Sequence, residues 1–312
     1  MNIFFCYRPS QLYAADRIIK QLPATDKHIV VSMYTPDINQ EKTELYTERL
    51  KKKSYAFLLL DFYYSTLLIT YLKLLWITKL RKVTIFIASW DIAEFRILST
   101  FLRIKEARTY DDGAINLVVK EEDIAEKAPD SIRVKYLLKY SKWSPLYLMK
   151  SSVLHYTFFP QIPQMMKKTT SIGILNESNE CAVSDLPPVR LFIGQPVGEF
   201  TDIKDEAEYV DRIIKDKNID YYFPHPREEF EISNKSKVVN SALLFEDYYA
   251  THFSDRQCVV YTFFSTTIFS LYGLNNVKAV SLRPQGLLQL TKWLDAYVVL
   301  EALGVEIEDL PY

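Results

Sequence analysis

The chain has 312 residues, 38 Lys+Arg against 39 Asp+Glu, and 48% hydrophobic residues, the profile of a soluble globular protein of roughly two domains at ~150 residues each. A formal net charge of −1 argues against a protein that coats nucleic acid, which needs a basic footprint. Seven glycines, with neither G-x-G-x-x-G nor G-x-x-x-x-G-K-[ST], leave a dinucleotide fold of the usual kind and a P-loop unsupported. Any bound phosphate must then be held by something other than a glycine loop.

In chain order, Asn2–Tyr7 reads as a strand and Gln11–Gln21 as a helix with Leu12, Ala15, Ile18 and Ile19 on one face. His28–Tyr34 and Tyr55–Leu60 are apolar and rich in β-formers, so both read as buried strands. Thr66–Leu80 reads as a helix, Val83–Ser89 as a strand and Ala93–Leu102 as a helix. This alternation predicts a parallel sheet covered on both faces. Phe158 to Pro188 breaks the rhythm with Pro160, Pro163, Pro187, Pro188 and the polar run Asn176–Glu180, and reads as a linker.

Beyond it, Val189–Ile193 reads as a strand, Asp205–Lys215 as a helix, and Asp220–Phe223 and Ala242–Phe245 as strands, the last ending in Glu246. Cys258–Tyr261 (strand), Thr266–Leu274 (helix), Val277–Leu282 (strand) and a long helix Gly286–Leu303 complete the chain. The expected architecture is α/β, with two Rossmann-like βαβ domains facing a central cleft: 1–157, a linker 158–188, and 189–312.

The N-terminus lacks a basic stretch followed by a long apolar run and does not read as a signal peptide. Ala56–Leu80, the best membrane candidate, contains Asp61, Lys73 and Lys79 and is read as strand plus core helix. A second reading makes Thr70–Lys82 an interfacial helix, with Trp76 and leucines inward and Lys73, Lys79, Arg81 and Lys82 outward. Cys6, Cys181 and Cys258 are odd in number and form no C-x-x-C, which fits a reducing, cytoplasmic setting.

Ligands of open parallel sheets sit at the carboxyl ends of strands. Three such places carry chemistry. Asp111-Asp112-Gly113 follows ARTY; Asp-Gly favours a turn, while the two carboxylates could supply a general base or, if the backbone bends, a divalent-metal pair. His225-Pro226 follows Tyr221–Pro224, and the flanking prolines hold that imidazole extended, suited to a phosphate oxygen or leaving group. His28, His155 and His252 read as structural. Ser265-Thr266-Thr267 joins a strand to a helix; it is first an N-cap, and the same geometry makes an anion site. Gly194-Gln195 ends the first strand of the second half, where a glycine lets a ligand approach the backbone. Glu246 could accept from ribose hydroxyls, or be an ordinary acid at a helix start.

The ordered set YDDGAIN, FIGQP, FPHPRE and FFSTTIF, spanning roughly Asp111 to Ser270, resembles the bacterial sialyltransferases. It is most similar to the lipooligosaccharide sialyltransferase family, glycosyltransferase family 52. The resemblance implies a GT-B fold and an inverting, metal-independent transfer from CMP-sialic acid to a sugar hydroxyl, commonly a terminal galactose, with α-2,3 linkage expected. Carried over by position, Asp111 is the base, with Asp112 beside it. His225, followed by Pro226, meets the departing phosphate, and Ser265 and Thr266 bind it. Glu246 holds the ribose, and Gly194 and Gln195 lie near the nucleotide. The Ser-Thr-Thr run leaves Thr266/Thr267 as an alternative hydroxyl pair. The expected partners are a nucleotide sugar and a glycan of lipooligosaccharide or capsule, with no cofactor. Peripheral contact with the inner membrane through Thr70–Lys82, and a homodimer, are further expectations. A GT-B enzyme with another donor, or a non-catalytic carbohydrate- or membrane-binding protein, are the rival readings.

Overall fold

The computed structural model describes residues 1–33, 40–60, 64–89, 91–111, 139, 141, 143–160, 162, 166, 168–173, 186–285, 287 and 291–311. Asp112, Gly113, Cys181 and the run Asn176–Glu180 lie outside the described residues. The chain divides into two compact units, Met1–Ile172 and Gly173–Tyr312.

The first unit carries β1 (Asn2–Cys6), α1 (Pro9–Gln21), β2 (His28–Met33), α2 (Gln40–Lys53), β3 (Ala56–Leu60), α3 (Tyr64–Thr78), β4 (Val83–Ile87) and α4 (Ala93–Phe101). It continues with β5 (Ile104–Tyr110), α5 (Pro145–Ser151), β6 (Ser152–Thr157) and β7 (Thr169–Ser171). Among the described residues these strands form one seven-stranded sheet, ordered β3-β2-β1-β4-β5-β6-β7. Every pairing in it is parallel.

NIFFC and VTIFI are buried at every position because β1 and β4 lie mid-sheet with both faces covered. Ile3, Phe5, Ile29, Val31, Ile85 and Ile87 pack under α3 and α4. Burying side chains of this kind contributes about 1.5–3 kcal/mol each. Because β7 pairs with β6, the early part of the expected 158–188 linker belongs to this first sheet, and the division between units falls at 172/173.

The second unit carries β8 (Val189–Ile193), α6 (Glu206–Asp216), β9 (Tyr221–Phe223), α7 (Phe245–His252), β10 (Cys258–Thr262), α8 (Thr266–Leu271), β11 (Val277–Pro284), α9 (Thr291–Ala302) and β12 (Glu306–Leu310). Its strands form a parallel five-stranded sheet among the described residues, ordered β12-β11-β10-β8-β9. Asp205 caps α6 by accepting from the Glu208 N–H, and Tyr209, Val210, Ile213 and Ile214 form its buried stripe.

Two expectations change here. Ala242–Leu244 is a bend that leads into α7 at Phe245, not a strand, so Glu246 sits in the first turn of a helix. Trp76 does not turn inward; it is 81% exposed. No helix among the described residues is long and apolar enough to cross a membrane.

Candidate active site

In the second unit the chain runs from β8 to β9 on one side, then crosses to β10 on the other. The point where strand order reverses lies at the carboxyl ends of β8 and β10, the place where open parallel sheets leave a crevice for ligands. Three sequence-predicted segments leave the sheet there from adjacent strands: Gly194-Gln195 after β8, His225-Pro226 after β9, and Ser265-Thr266 after β10.

Gln195 ties two of them together. Its Oε1 accepts from the Phe264 N–H at 2.8 Å and from the Thr262 hydroxyl at 3.3 Å, fixing the backbone that presents Ser265. Ser265 is the N-cap of α8, accepting from the Thr267 N–H at 3.4 Å. Glu246 accepts from the Ser270 hydroxyl of α8 at 3.2 Å, which braces α7 against α8.

His225 is oriented by its own turn. The Arg227 N–H donates to Nδ1 at 3.1 Å, and the His225 carbonyl accepts from the Glu228 N–H at 3.0 Å. With Nδ1 an acceptor, the neutral ring carries its proton on Nε2. A donor so placed suits an anionic oxygen.

Beneath this turn lies a residue that the motif reading passed over. Glu228 Oε2 accepts from the Tyr222 hydroxyl at 2.7 Å, while its Oε1 is buried without a hydrogen-bond partner. Burial pushes the Glu228 carboxyl up to about 7; the Tyr222 hydroxyl and the His225 backbone pull it back, and the charge of Glu206 adds to the rise. Burial and the Glu228 charge likewise drive the Tyr222 phenol far above its ordinary value. A Cβ at Gly194 would collide with the Glu228 carboxylate and lie 2.5 Å from the Tyr222 hydroxyl. The room beside Gly194 is therefore filled by the protein's own carboxyl group, not left open for a ligand as expected. The signal for Glu228 was its position three residues after His225, but its burial follows only from the fold.

In the first unit, Asp111 leaves the end of β5 and is 3% exposed. Its Oδ1 accepts from His155 Nε2 at 2.9 Å, and its Oδ2 accepts from the Thr157 hydroxyl at 2.9 Å and the Phe158 N–H at 2.7 Å. His155 Nδ1 faces the Thr109 hydroxyl at 2.9 Å. The expectation that this carboxylate stands ready for an incoming hydroxyl does not match its surroundings. Three donors hold it, and it clasps the ends of β5 and β6. His155 could have been identified as its partner only from the pairing of Thr109 with His155 across β5 and β6.

Two solved structures share the fold at low sequence identity. The glycotransferase of kitacinnamycin superposes with a TM-score of 0.56 at 12% identity, over 99% of this chain and 86% of that one. A UDP-N-acetylglucosamine 2-epimerase does so at 0.50 and 9%, over 100% and 83%. The fold is GT-B, the class of two parallel α/β units with ligand segments at strand ends.

Within that class the chain belongs to glycosyltransferase family 52, whose model matches residues 28–286. It is 27% identical to an N-acetyllactosaminide alpha-2,3-sialyltransferase of Haemophilus influenzae, over 98% of this chain and 99% of that protein. It is 26% identical to a CMP-N-acetylneuraminate:beta-galactoside alpha-2,3-sialyltransferase of Pasteurella multocida, over 99% of each. A Neisseria meningitidis N-acetyllactosaminide alpha-2,3-sialyltransferase is 25% identical, over 98% of this chain and 85% of that protein.

Proposed function

We propose that this enzyme transfers sialic acid from CMP-sialic acid to a galactose hydroxyl of a bacterial surface glycan, forming an α-2,3 linkage with inversion. The observation that carries the reading is the trio of segments at the carboxyl ends of β8, β9 and β10, in a chain of this family. A CMP-sugar has a single phosphate, so the charge to be met is modest. His225 Nε2–H, the Ser265 and Thr266 hydroxyls and the backbone at the start of α8 are the donors assigned to it, with no metal required.

In the proposed step the acceptor oxygen bonds to the anomeric carbon while the bond from that carbon to the CMP phosphate oxygen breaks. His225 stabilises the leaving phosphate by hydrogen bonding. The acceptor proton goes to the Asp111-Asp112 pair. Asp111, which accepts from His155, Thr157 and Phe158, and its neighbour Asp112 are the two carboxylates assigned to it. The acceptor is a glycan of lipooligosaccharide or capsule, reached by an enzyme held peripherally at the inner membrane, and a homodimer belongs to the same reading.

A thermal-shift series with CMP, CDP, UDP and GDP tests the donor assignment. CMP alone should raise the melting temperature, by an amount equivalent to about 2.7 kcal/mol at a hundredfold excess over Kd. His225→Ala should abolish most of that shift and lower turnover, and turnover should persist in chelator. Stabilisation by UDP or GDP alone would point to another donor; stabilisation by none of the four, with no transfer from CMP-sialic acid, would end the reading.

A further inference from the structure

We infer that the outer face of α3 is a docking surface for an anionic lipid leaflet, with the helix lying in the plane of the headgroups. The inference rests on the proposed function only for which membrane is meant. The inward stripe of α3 is Leu67, Thr70, Leu74 and Thr78, all buried. That stripe satisfies the sheet, and an ordinary surface helix would be polar on its other side. Here the other side carries Leu68, Ile69, Leu72 and Trp76, each at least 49% exposed. At 100° per residue these four fall within an arc of about 100°. A helix apolar on both faces has one face without its solvent, and side chains exposed together in this way mark an interaction surface.

The charge says what covers it. No Asp or Glu occurs between Asp61 and Asp91, while Lys73, Lys79, Arg81 and Lys82 border the arc and the helix end. All four cations are exposed, and none forms an ion pair among the described residues. In a chain whose net charge is −1, this cationic stretch is local. Lys79 and Leu80 are left-handed, with φ of 50° and 56°, and this turn leaves Leu80 exposed beside the basic residues.

A bilayer surface meets both demands at once. Its acyl boundary takes the leucines, its interface suits the amphipathic indole of Trp76, and its anionic headgroups pair with the lysines and arginine. A second copy of the chain fits poorly. A two-fold contact would press this face on itself and bring like cations together. α3 is too short to span, so the helix lies on the leaflet.

The test is co-sedimentation of the full-length protein with vesicles of phosphatidylcholine alone, or with roughly one-third phosphatidylglycerol. Binding should appear with the anionic vesicles and fall with salt. Leu72→Gln/Trp76→Gln should remove it, and Lys79→Glu/Lys82→Glu should weaken it by about fivefold or more per charge lost. The substituted side chains are exposed, so circular dichroism and melting should match the parent. Equal binding to both vesicles, no binding to either, or binding untouched by the variants would overturn the inference. So would a dimer dissociated by the Trp76 variant in a protein that ignores vesicles. Transfer to a short soluble galactoside is measured alongside. Its loss in the parent protein would count against the proposed reaction and leave the vesicle result standing.

Discussion

Replacing Glu228 with Gln isolates the buried carboxyl beside the candidate site. Its carboxyl is pushed up from 4.5 to about 7, chiefly because ionising it strands a charge in a buried place where one oxygen has no partner. In the unfolded chain the same group titrates near its ordinary value. Between about pH 4.5 and 7 the native state therefore holds more protons than the unfolded state, and stability must fall as pH rises through that window. Below the window the group contributes no penalty; above it the penalty is constant, of order 3 kcal/mol. Gln keeps an oxygen for the Tyr222 hydroxyl and removes the charge. It also places an amide N–H2 where no acceptor is available, at a cost of about 1–3 kcal/mol. The absolute stability of the variant is thus a balance, but its pH dependence is not. The drop in melting temperature between about pH 5 and about pH 8 should be smaller in Glu228→Gln than in the parent by roughly 6–12 °C for the transition of the second unit. Differential scanning calorimetry of both proteins at fixed ionic strength reads this directly, since every other acid cancels in the comparison. Parallel pH profiles would refute the buried-carboxyl argument.

Three further outcomes follow from the same geometry. Gly194→Ala should lower stability by about 1–3 kcal/mol, because the new methyl displaces the Glu228 carboxylate from the Tyr222 hydroxyl. Adding Glu228→Ala should recover part of that loss, a non-additivity visible in a double-mutant cycle of melts. Gln195→Leu leaves the Phe264 N–H without its acceptor, so stability should fall by about 1–3 kcal/mol and calorimetric CMP affinity should fall with it; unchanged affinity would detach the Ser265 turn from the donor site. Asp112→Asn should leave melting and CMP affinity intact while lowering kcat about 10²-fold or more, whereas Asp111→Asn should lower the melting temperature first. A well-folded, inactive Asp111→Asn beside an active Asp112→Asn would refute this and assign the base to Asp111.

The strands that sit mid-sheet were legible because nothing but apolar residues can occupy them, as NIFFC, VTIFI and VRLFI show. Two of the strands that the alternation did not yield carry charge, one of them inside its sheet and one at an edge. IKEARTY places Glu106 and Arg108 side by side as an ion pair, and EIEDL sets Glu306 and Asp309 against Lys278 and Arg283 of β11. Such strands read as polar loop until their neighbours are known. The run ALLF was misread for the opposite reason. A short apolar stretch suits a strand or a helix start equally, and here Phe245 begins α7 and buries its ring against Phe223. The candidate site divides the same way. That Gly194, His225 and Ser265 follow strand ends could be read along the chain. The burial of Asp111 by His155 and of Glu228 by Tyr222 depends on register and packing, which the chain alone does not display.

The scarcity of glycine has a structural counterpart in both units. A phosphate-binding α/β unit of the usual kind shapes its switch-point loop with glycines that let the backbone bend and approach. Here a glutamine side chain does the shaping. In the first unit order reverses between β1 and β4, and buried Gln11 accepts from the Tyr7 N–H at 2.7 Å and donates to the Ser89 hydroxyl at 2.6 Å, clamping the two strand ends. In the second unit Gln195 clamps the ends of β8 and β10 through Phe264 and Thr262. A side-chain amide can mimic a backbone partner, so a loop built from ordinary residues can be held in one conformation without the entropic cost that glycine carries in the unfolded chain. What such a loop gives up is a row of exposed backbone N–H groups for a diphosphate. In the proposed reaction the imidazole of His225, the hydroxyls of Ser265 and Thr266 and the start of α8 would meet the anion, and a donor with one phosphate is the chemistry that so small a set can serve.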